Sequence, residues 1–197
     1  MMLCEDKSRA IFLDADGVLW NDRGPGGILG GKDQAVQNLF MFLEIPKKQY
    51  LKIIISNQTF AARKKINYFK FRLFVNKFFK DLIAQELLND FAICYHHPNA
   101  ENKLLRKKCK CRKPSPRLIN SMIRKYNIDP LKSFLIGDRI TDIQAGSAAG
   151  VGHLFLIINS KMLEINININ SQSLQNEFVP LNGLEEFIVY KKMQDEN

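Results

Sequence analysis

The chain has 197 residues, 46% of them hydrophobic and 25% charged, a length suited to one domain and a composition that argues against disorder. No apolar run approaches the ~20 residues of a membrane span, and the start, MMLCEDKSRAIFLD, carries acids ahead of its apolar stretch. Neither a membrane anchor nor a signal peptide is therefore expected, and a cytoplasmic location is. The 29 basic residues against 20 acidic ones leave +9, which attracts anions such as nucleic acid, acidic membrane or small phosphorylated substrates, and which a Lys-rich composition on solvated faces also explains.

Residues 9–13 (RAIFL) read as a buried strand that ends at Asp14. The Gly-rich stretch that follows, DGVLWNDRGPGGILGGK, reads as loop or hairpin. Asp33 can cap a helix to about Glu44, with Val36, Leu39, Phe40 and Leu43 on one face and Pro46 beyond its end. LKIIIS (51–56) is a β-branched run and a second strand. One long helix is predicted over 62–88, with Phe71, Phe74, Val75, Phe78, Leu82 and Ile83 as its core stripe. FAICY (91–95) is a third strand, followed by a Lys-rich loop, and Pro116 starts a helix to Tyr126. SFLIG (133–137) and VGHLFLII (151–158) are further strands, separated by a helix opening at TDIQAGSAAG. LEININININ alternates as a half-buried edge strand does, and 181–191 reads as a closing helix.

Strands alternating with helices imply an α/β fold, Rossmann-like and doubly wound, with a mostly parallel sheet. The expected organisation is a single domain over 1–197, with a metal-stabilised loop at about 94–111 and a C-terminal extension at about 159–197. In such sheets ligands bind beyond the carboxyl ends of the strands. The strand ends here carry Asp14 and Asp16, then Ser56-Asn57-Gln58, then Asp138 with Asp142 a helical turn on, and Lys113 lies in the loop before the fourth strand. Two carboxylates one residue apart can divide the work of attacking phosphorus and managing the leaving-group proton. A further carboxylate lets Mg²⁺ bridge protein and phosphate, and a lysine balances the charge of nucleophile and phosphate together. Singly each feature is bland: DxDG is often a plain loop, Asp138 a helix N-cap and Lys113 a solvated lysine.

Cys94 and His96, followed by Cys109 and Cys111, offer three thiolates and an imidazole, a set that suits tetrahedral Zn²⁺. His97 is an alternative to His96, buried free thiols are the plainer reading, and Cys4 has no partner in the pattern.

The stretches IFLDADGVLWNDRG, SNQTFAAR, CYHHP, CKCRKPSP and LIGDRITDIQAGSAAGVG, spread over residues 11–152, resemble the haloacid dehalogenase superfamily. The likeness is to its small zinc-containing branch without a large cap domain, the heptose-bisphosphate and histidinol-phosphate phosphatases. That resemblance implies a Mg-dependent phosphatase with Asp14 as nucleophile, Asp16 as general acid and base, and Lys113 as stabiliser of the transferring phosphate. It implies phosphate or substrate contacts from Ser56, Asn57, Arg63 and Arg112. Mg²⁺ would lie on Asp14, the main-chain carbonyl of Asp16 and Asp138, with Asp142 in support, and a structural zinc on Cys94, His96, Cys109 and Cys111. The expected substrate is D-glycero-D-manno-heptose 1,7-bisphosphate, losing its 7-phosphate in lipopolysaccharide precursor synthesis. The alternatives are histidinol phosphate in histidine biosynthesis, a nucleic-acid 3′-phosphatase, and a degenerate relative that binds a phosphosugar or a protein without turnover. A monomer is expected, with no nucleic-acid or membrane partner. Trp20 and Phe60 depart from the bisphosphatase pattern, which has Asn and Gly there, and both are expected to lie where the leaving group is recognised, away from the phosphoryl-transfer groups.

Overall fold

The computed structural model describes residues 7–20, 32–41, 50–63, 66–158 and 178–195. In chain order the elements are β1 (Ala10–Leu13), α1 (Lys32–Met41), β2 (Leu51–Asn57), α2 (Phe60–Arg63), α3 (Tyr68–Ala84), β3 (Asp90–Cys94), α4 (Arg117–Lys125), β4 (Phe134–Gly137), α5 (Ile140–Ala148), β5 (His153–Ile157), β6 (Val179–Leu181) and α6 (Leu184–Asp195). The strands form one sheet in the order β3-β2-β1-β4-β5-β6, and every pairing is parallel.

Period-two alternation divides the strand side chains between two cores. Ile11, Leu13, Ile54, Phe134, Ile136, Phe155 and Ile157 pack on one face with Leu39 of α1, the apolar stripe of α3 and Phe187 of α6. Ala10, Phe12, Ile53, Ile55, Leu135, Leu154 and Leu156 pack on the other with Ile119 and Met122 of α4 and Ile143 and Ala145 of α5. Both faces are covered, which is why the inner strands read as unbroken apolar runs. The chain winds from β1 out to β3, returns to β4 beside β1, and winds out again to β6. The crevice between the carboxyl ends of β1 and β4 is thus the topological switch point, where such sheets hold ligands.

The elements differ from expectation in three places. The long helix expected over 62–88 is two helices. Asn67 starts the second by accepting the Lys70 N–H on its side chain at 3.0 Å, and Glu86 at φ 57 lies beyond its end. On α3 the buried stripe is Phe71, Val75, Phe78, Phe79 and Leu82, whereas Phe74 is 39% exposed. At ~100° per residue Phe74 stands roughly 65° from the centre of the stripe defined by Phe71, Val75 and Phe78. Near the C-terminus a short sixth strand precedes the closing helix, which begins at Leu184 rather than 181. The alternating segment 163–169 and Cys4 lie outside the described residues. No helix among the described residues is long and apolar enough to cross a membrane.

Phe187 of α6 is wholly buried and meets the rings of Phe134 and Phe155 edge-on at 5.5 and 5.1 Å. The C-terminal segment is therefore part of the main core. Phe187→Ala is expected to lower the unfolding free energy by about 3–5 kcal/mol, read by chemical denaturation. A loss under ~1 kcal/mol would show instead that the segment is a dispensable appendage.

Candidate active site

β1, β2 and β4 run in register, with Leu13 opposite both Ile54 and Ile136, so the residues that follow them emerge side by side. Asp14, Asp138 and Asp142 are all buried, and each offers a carboxylate oxygen within 4.8 Å of the others. Lys113 stands among them at 3% exposure. Its Nζ lies 2.8 Å from Asp14 Oδ1 and 2.7 Å from Asp142 Oδ1, and donates to the carbonyl of Ile55 at 2.7 Å. Burial alone would lower the pKa of this ammonium, but Asp14 and Asp142 outweigh burial and hold it above the ordinary lysine value.

Asp142 also accepts the Arg139 N–H on its Oδ2 at 3.0 Å, three residues upstream. It is therefore the carboxylate that closes the first turn of α5, a position the bland reading gave to Asp138. Asp138 itself is fully buried beneath Gly17. Gly17 has φ +83, and a Cβ there would overlap the Asp138 carboxylate, while one on Gly137 would strike Asp142. Both glycines are needed for the carboxylates to come this close.

Asp16 is partly exposed. Its pKa is pushed up to about 6, first by burial and then by the charge of Asp14, against hydrogen bonds from Gln58 and Trp20 and the charge of Lys113. Ser56 is buried and accepts the Gln58 side-chain N–H at 3.2 Å. Asn57 holds the main chain of Lys113 at both ends of its amide, accepting its N–H at 3.2 Å and donating to its carbonyl at 3.4 Å. Arg112 donates to the His96 carbonyl at 3.5 Å. Arg63 ends α2, and its side chain lies outside the described residues.

Trp20 and Gln58 were not among the expected site residues, and Trp20 corrects an expectation. It is 1% exposed and donates from Nε1 to Asp16 Oδ1 at 2.9 Å, so it touches an expected phosphoryl-transfer group rather than a leaving-group surface. Phe60 is partly buried and packs against Phe71 at 5.7 Å, at the margin of the core. A lone tryptophan six residues after Asp14 was the available signal, but nothing local says that its N–H turns back to Asp16.

The loop before Lys113 carries the second cluster. Cys94 Sγ lies 3.6 Å from Cys109 Sγ and 3.3 Å from Cys111 Sγ, and the last two are 3.3 Å apart. His96 Nδ1 is 3.3 Å from Cys111 Sγ and 3.9 Å from Cys94 Sγ. Zinc–sulfur bonds of ~2.3 Å and zinc–nitrogen bonds of ~2.0–2.1 Å give tetrahedron edges of roughly 3.5–3.8 Å. The four groups fit a zinc ion. His97 is excluded from the set, since its Nδ1 accepts the Asn99 N–H at 3.1 Å. Burial pushes the Cys94 thiol up, so it holds its proton until a metal displaces it. The all-oxygen set at the strand ends, three carboxylates against one ammonium, fits a hard divalent cation such as Mg²⁺.

A family model for HAD-hydrolase-like proteins matches residues 110–156. The chain is 32% identical over 153 residues to the D-glycero-α-D-manno-heptose-1,7-bisphosphate 7-phosphatase of Photorhabdus laumondii, covering 77% of this chain and 84% of that protein. It is 29% identical to the corresponding β-anomer 7-phosphatase of Escherichia coli K12, over 77% of this chain and 80% of that one. Among solved structures, D,D-heptose 1,7-bisphosphate phosphatase from B. bronchiseptica, complexed with magnesium and phosphate, shares the fold with a TM-score of 0.68 at 20% identity, covering 96% of this chain and 99% of that one.

Gly17→Ala should strain the backbone by about 1–2 kcal/mol and displace the Asp138 carboxylate. Phosphate release from an aryl phosphate is expected to fall at least ~10-fold at a temperature where circular dichroism reports a folded protein, since displaced catalytic groups are costly. Wild-type turnover in that variant would show that Asp138 need not sit against residue 17.

Proposed function

The chain belongs to the haloacid dehalogenase-like hydrolases and is a phosphatase, and from that premise we propose that it removes the 7-phosphate of D-glycero-D-manno-heptose 1,7-bisphosphate through an aspartyl-phosphate on Asp14. The observation that carries the reading is the buried Lys113 ammonium held between Asp14 and Asp142 at the mouth of β1 and β4.

In the first step an Asp14 carboxylate oxygen attacks phosphorus. The bond from phosphorus to the ester oxygen breaks, and that oxygen takes the proton of the Asp16 carboxyl. In the second step the Asp16 carboxylate takes a proton from water as the water oxygen attacks the same phosphorus. The bond to Asp14 breaks, inorganic phosphate leaves, and both aspartates return to their starting forms. An acid pushed up to about 6 suits a group that must both give and take a proton near neutrality. Lys113 offsets the repulsion between Asp14 and the incoming phosphate, and Asp142 keeps its ammonium from swinging away. The Ser56 hydroxyl and the main-chain N–H groups after β2 hold phosphate oxygens, and contacts with the remainder of the substrate are assigned to Arg63 and Arg112 from the family resemblance. Asp14, the main-chain carbonyl of Asp16 and Asp138 would hold Mg²⁺, which when bound would supply charge balance for the transferring phosphate.

Zinc on Cys94, His96, Cys109 and Cys111 has a positioning role in this reading. Arg112 and Lys113 follow the last ligand directly, and Arg112 hydrogen-bonds the carbonyl of His96. Bound zinc would order a loop whose apolar anchors are few, Ala100 and Leu105 among them. A small metabolite substrate requires neither nucleic acid nor membrane, and the reading is of a cytoplasmic monomer.

Support for the substrate comes from the relatives named for it, which divide between the α and β anomers. Comparison of kcat/KM for both anomers of the heptose bisphosphate and for histidinol phosphate is expected to favour one heptose anomer by at least ~100-fold. A preference for histidinol phosphate would replace the substrate assignment. Asp14→Asn should abolish turnover, and a variant that still released phosphate at the wild-type rate would end the aspartyl-phosphate mechanism. Cys109→Ser should lose zinc by elemental analysis and lose turnover with it, although Cys109 touches no substrate. A zinc-free variant of full activity would break the link between the metal and Lys113.

A further inference from the structure

Trp20 is the chain's one tryptophan, and the loop leaving β1 is built to hold it in one place. Gly17, at φ +83, turns the chain, and its N–H donates to the Trp20 carbonyl at 2.8 Å. The Val18 and Leu19 N–H groups both donate to the Ala15 carbonyl, at 3.3 and 2.9 Å. From α1, the Asn38 amide donates to the carbonyls of Val18 and Leu19 at 3.3 and 2.9 Å. The indole meets the Phe78 ring of α3 edge-on, at 5.8 Å and 81°. So held, and 1% exposed, it donates its Nε1–H to Asp16 Oδ1 at 2.9 Å.

An indole N–H donates and cannot accept. Oδ1 of Asp16 is thereby kept as an acceptor and rotation of the carboxyl is arrested, which leaves Oδ2 as the oxygen free to hand on a proton. Gln58, tied to Ser56 Oγ at 3.2 Å, lies beside the same carboxyl and favours its charged form. We propose that Trp20 is a positioning residue for proton transfer, its indole N–H locking the Asp16 carboxyl so that the opposite oxygen delivers the proton to the departing ester oxygen. The proposal rests on Asp16 being the general acid. Trp20 touches no substrate and acts only through Asp16.

A departing alkoxide needs that proton far more than an activated phenolate does, so a loosened acid penalises poor leaving groups selectively. Because the chain has a single tryptophan, growth of a tryptophan auxotroph on β-(3-benzothienyl)alanine changes position 20 alone. That residue keeps the bicyclic shape and puts sulfur in place of the N–H. Trp20→Phe is the encoded companion, with zinc content and circular dichroism as checks on folding. The readout is the slope of log kcat/KM against leaving-group pKa over a series of aryl and alkyl phosphates. It reports only steps up to the aspartyl-phosphate and is untouched by the later use of Asp16 as base. Both replacements are expected to lose ~10-fold or more on alkyl phosphates and much less on the most activated aryl phosphate, steepening the slope. A parallel loss across the series, or none, overturns the proposal. Asp16→Asn is the reference. If it steepens the slope and the position-20 replacements do not, Trp20 alone is misassigned. If it leaves the slope unchanged, the general-acid reading fails and this proposal falls with it.

Discussion

The structure depends on one buried ammonium. Lys113 Nζ has three oxygen neighbours within 2.8 Å, from Asp14 after β1, Ile55 in β2 and Asp142 in α5. An ammonium removed from water without partners costs several kcal/mol, and three mutually close carboxylates without a cation cost more still through repulsion. Neither is tolerable without the other. The segments that bring them are far apart in the chain, so docking of these elements and construction of the site are one event.

Lys113 has a distance to cross. Its loop leaves β3, an edge strand, yet its ammonium must reach the seam between β1 and β4, on the far side of β2. Two devices on β2 carry it over. The Asn57 amide grips the Lys113 main chain at both ends, and the Ile55 carbonyl receives the ammonium beneath. The loop itself is held at its base by the Cys94, His96, Cys109 and Cys111 cluster. Further along, the Glu101 N–H donates to the Ala62 carbonyl at 2.9 Å. Arg106 donates to the carbonyls of Ala100 and Glu101 at 2.6 and 3.3 Å. Part of the +9 charge surplus therefore cross-links the loop. Exposed Lys70, Arg72, Lys77 and Lys80 on α3 keep the plainer reading of a solvated face.

The strands and the site acids were legible because their signals are local. A buried parallel strand is an apolar run, and its end is the first polar residue, so Asp14, Ser56 and Asp138 could be set at strand ends from spelling alone. The metal cluster was legible for the same reason, being two short Cys/His pairs. Less legible was anything depending on which way a side chain turns. Phe74 and Phe71 belong to one apolar pattern, and only helix phase and neighbouring elements expose the first and bury the second. Nothing local says that the Asn57 side-chain amide grips the passing Lys113 main chain. Trp20 was assigned to the substrate side, and the left-handed turn at Gly17 sends it inward to Asp16.

By itself the sequence determined the doubly wound class and set out the strand-end carboxylates and the Cys/His cluster, since each follows from residue type and spacing within a short segment. Only the tertiary structure decided which groups meet. It set Asp142 against Lys113 as well as at the first turn of α5, put His96 rather than His97 among the thiols, tied the Asn57 amide to the Lys113 main chain, and turned Trp20 inward to Asp16. Such choices follow from the register of parallel strands and the path of loops between them. Those are fixed by packing among residues distant in sequence, and no local pattern encodes them.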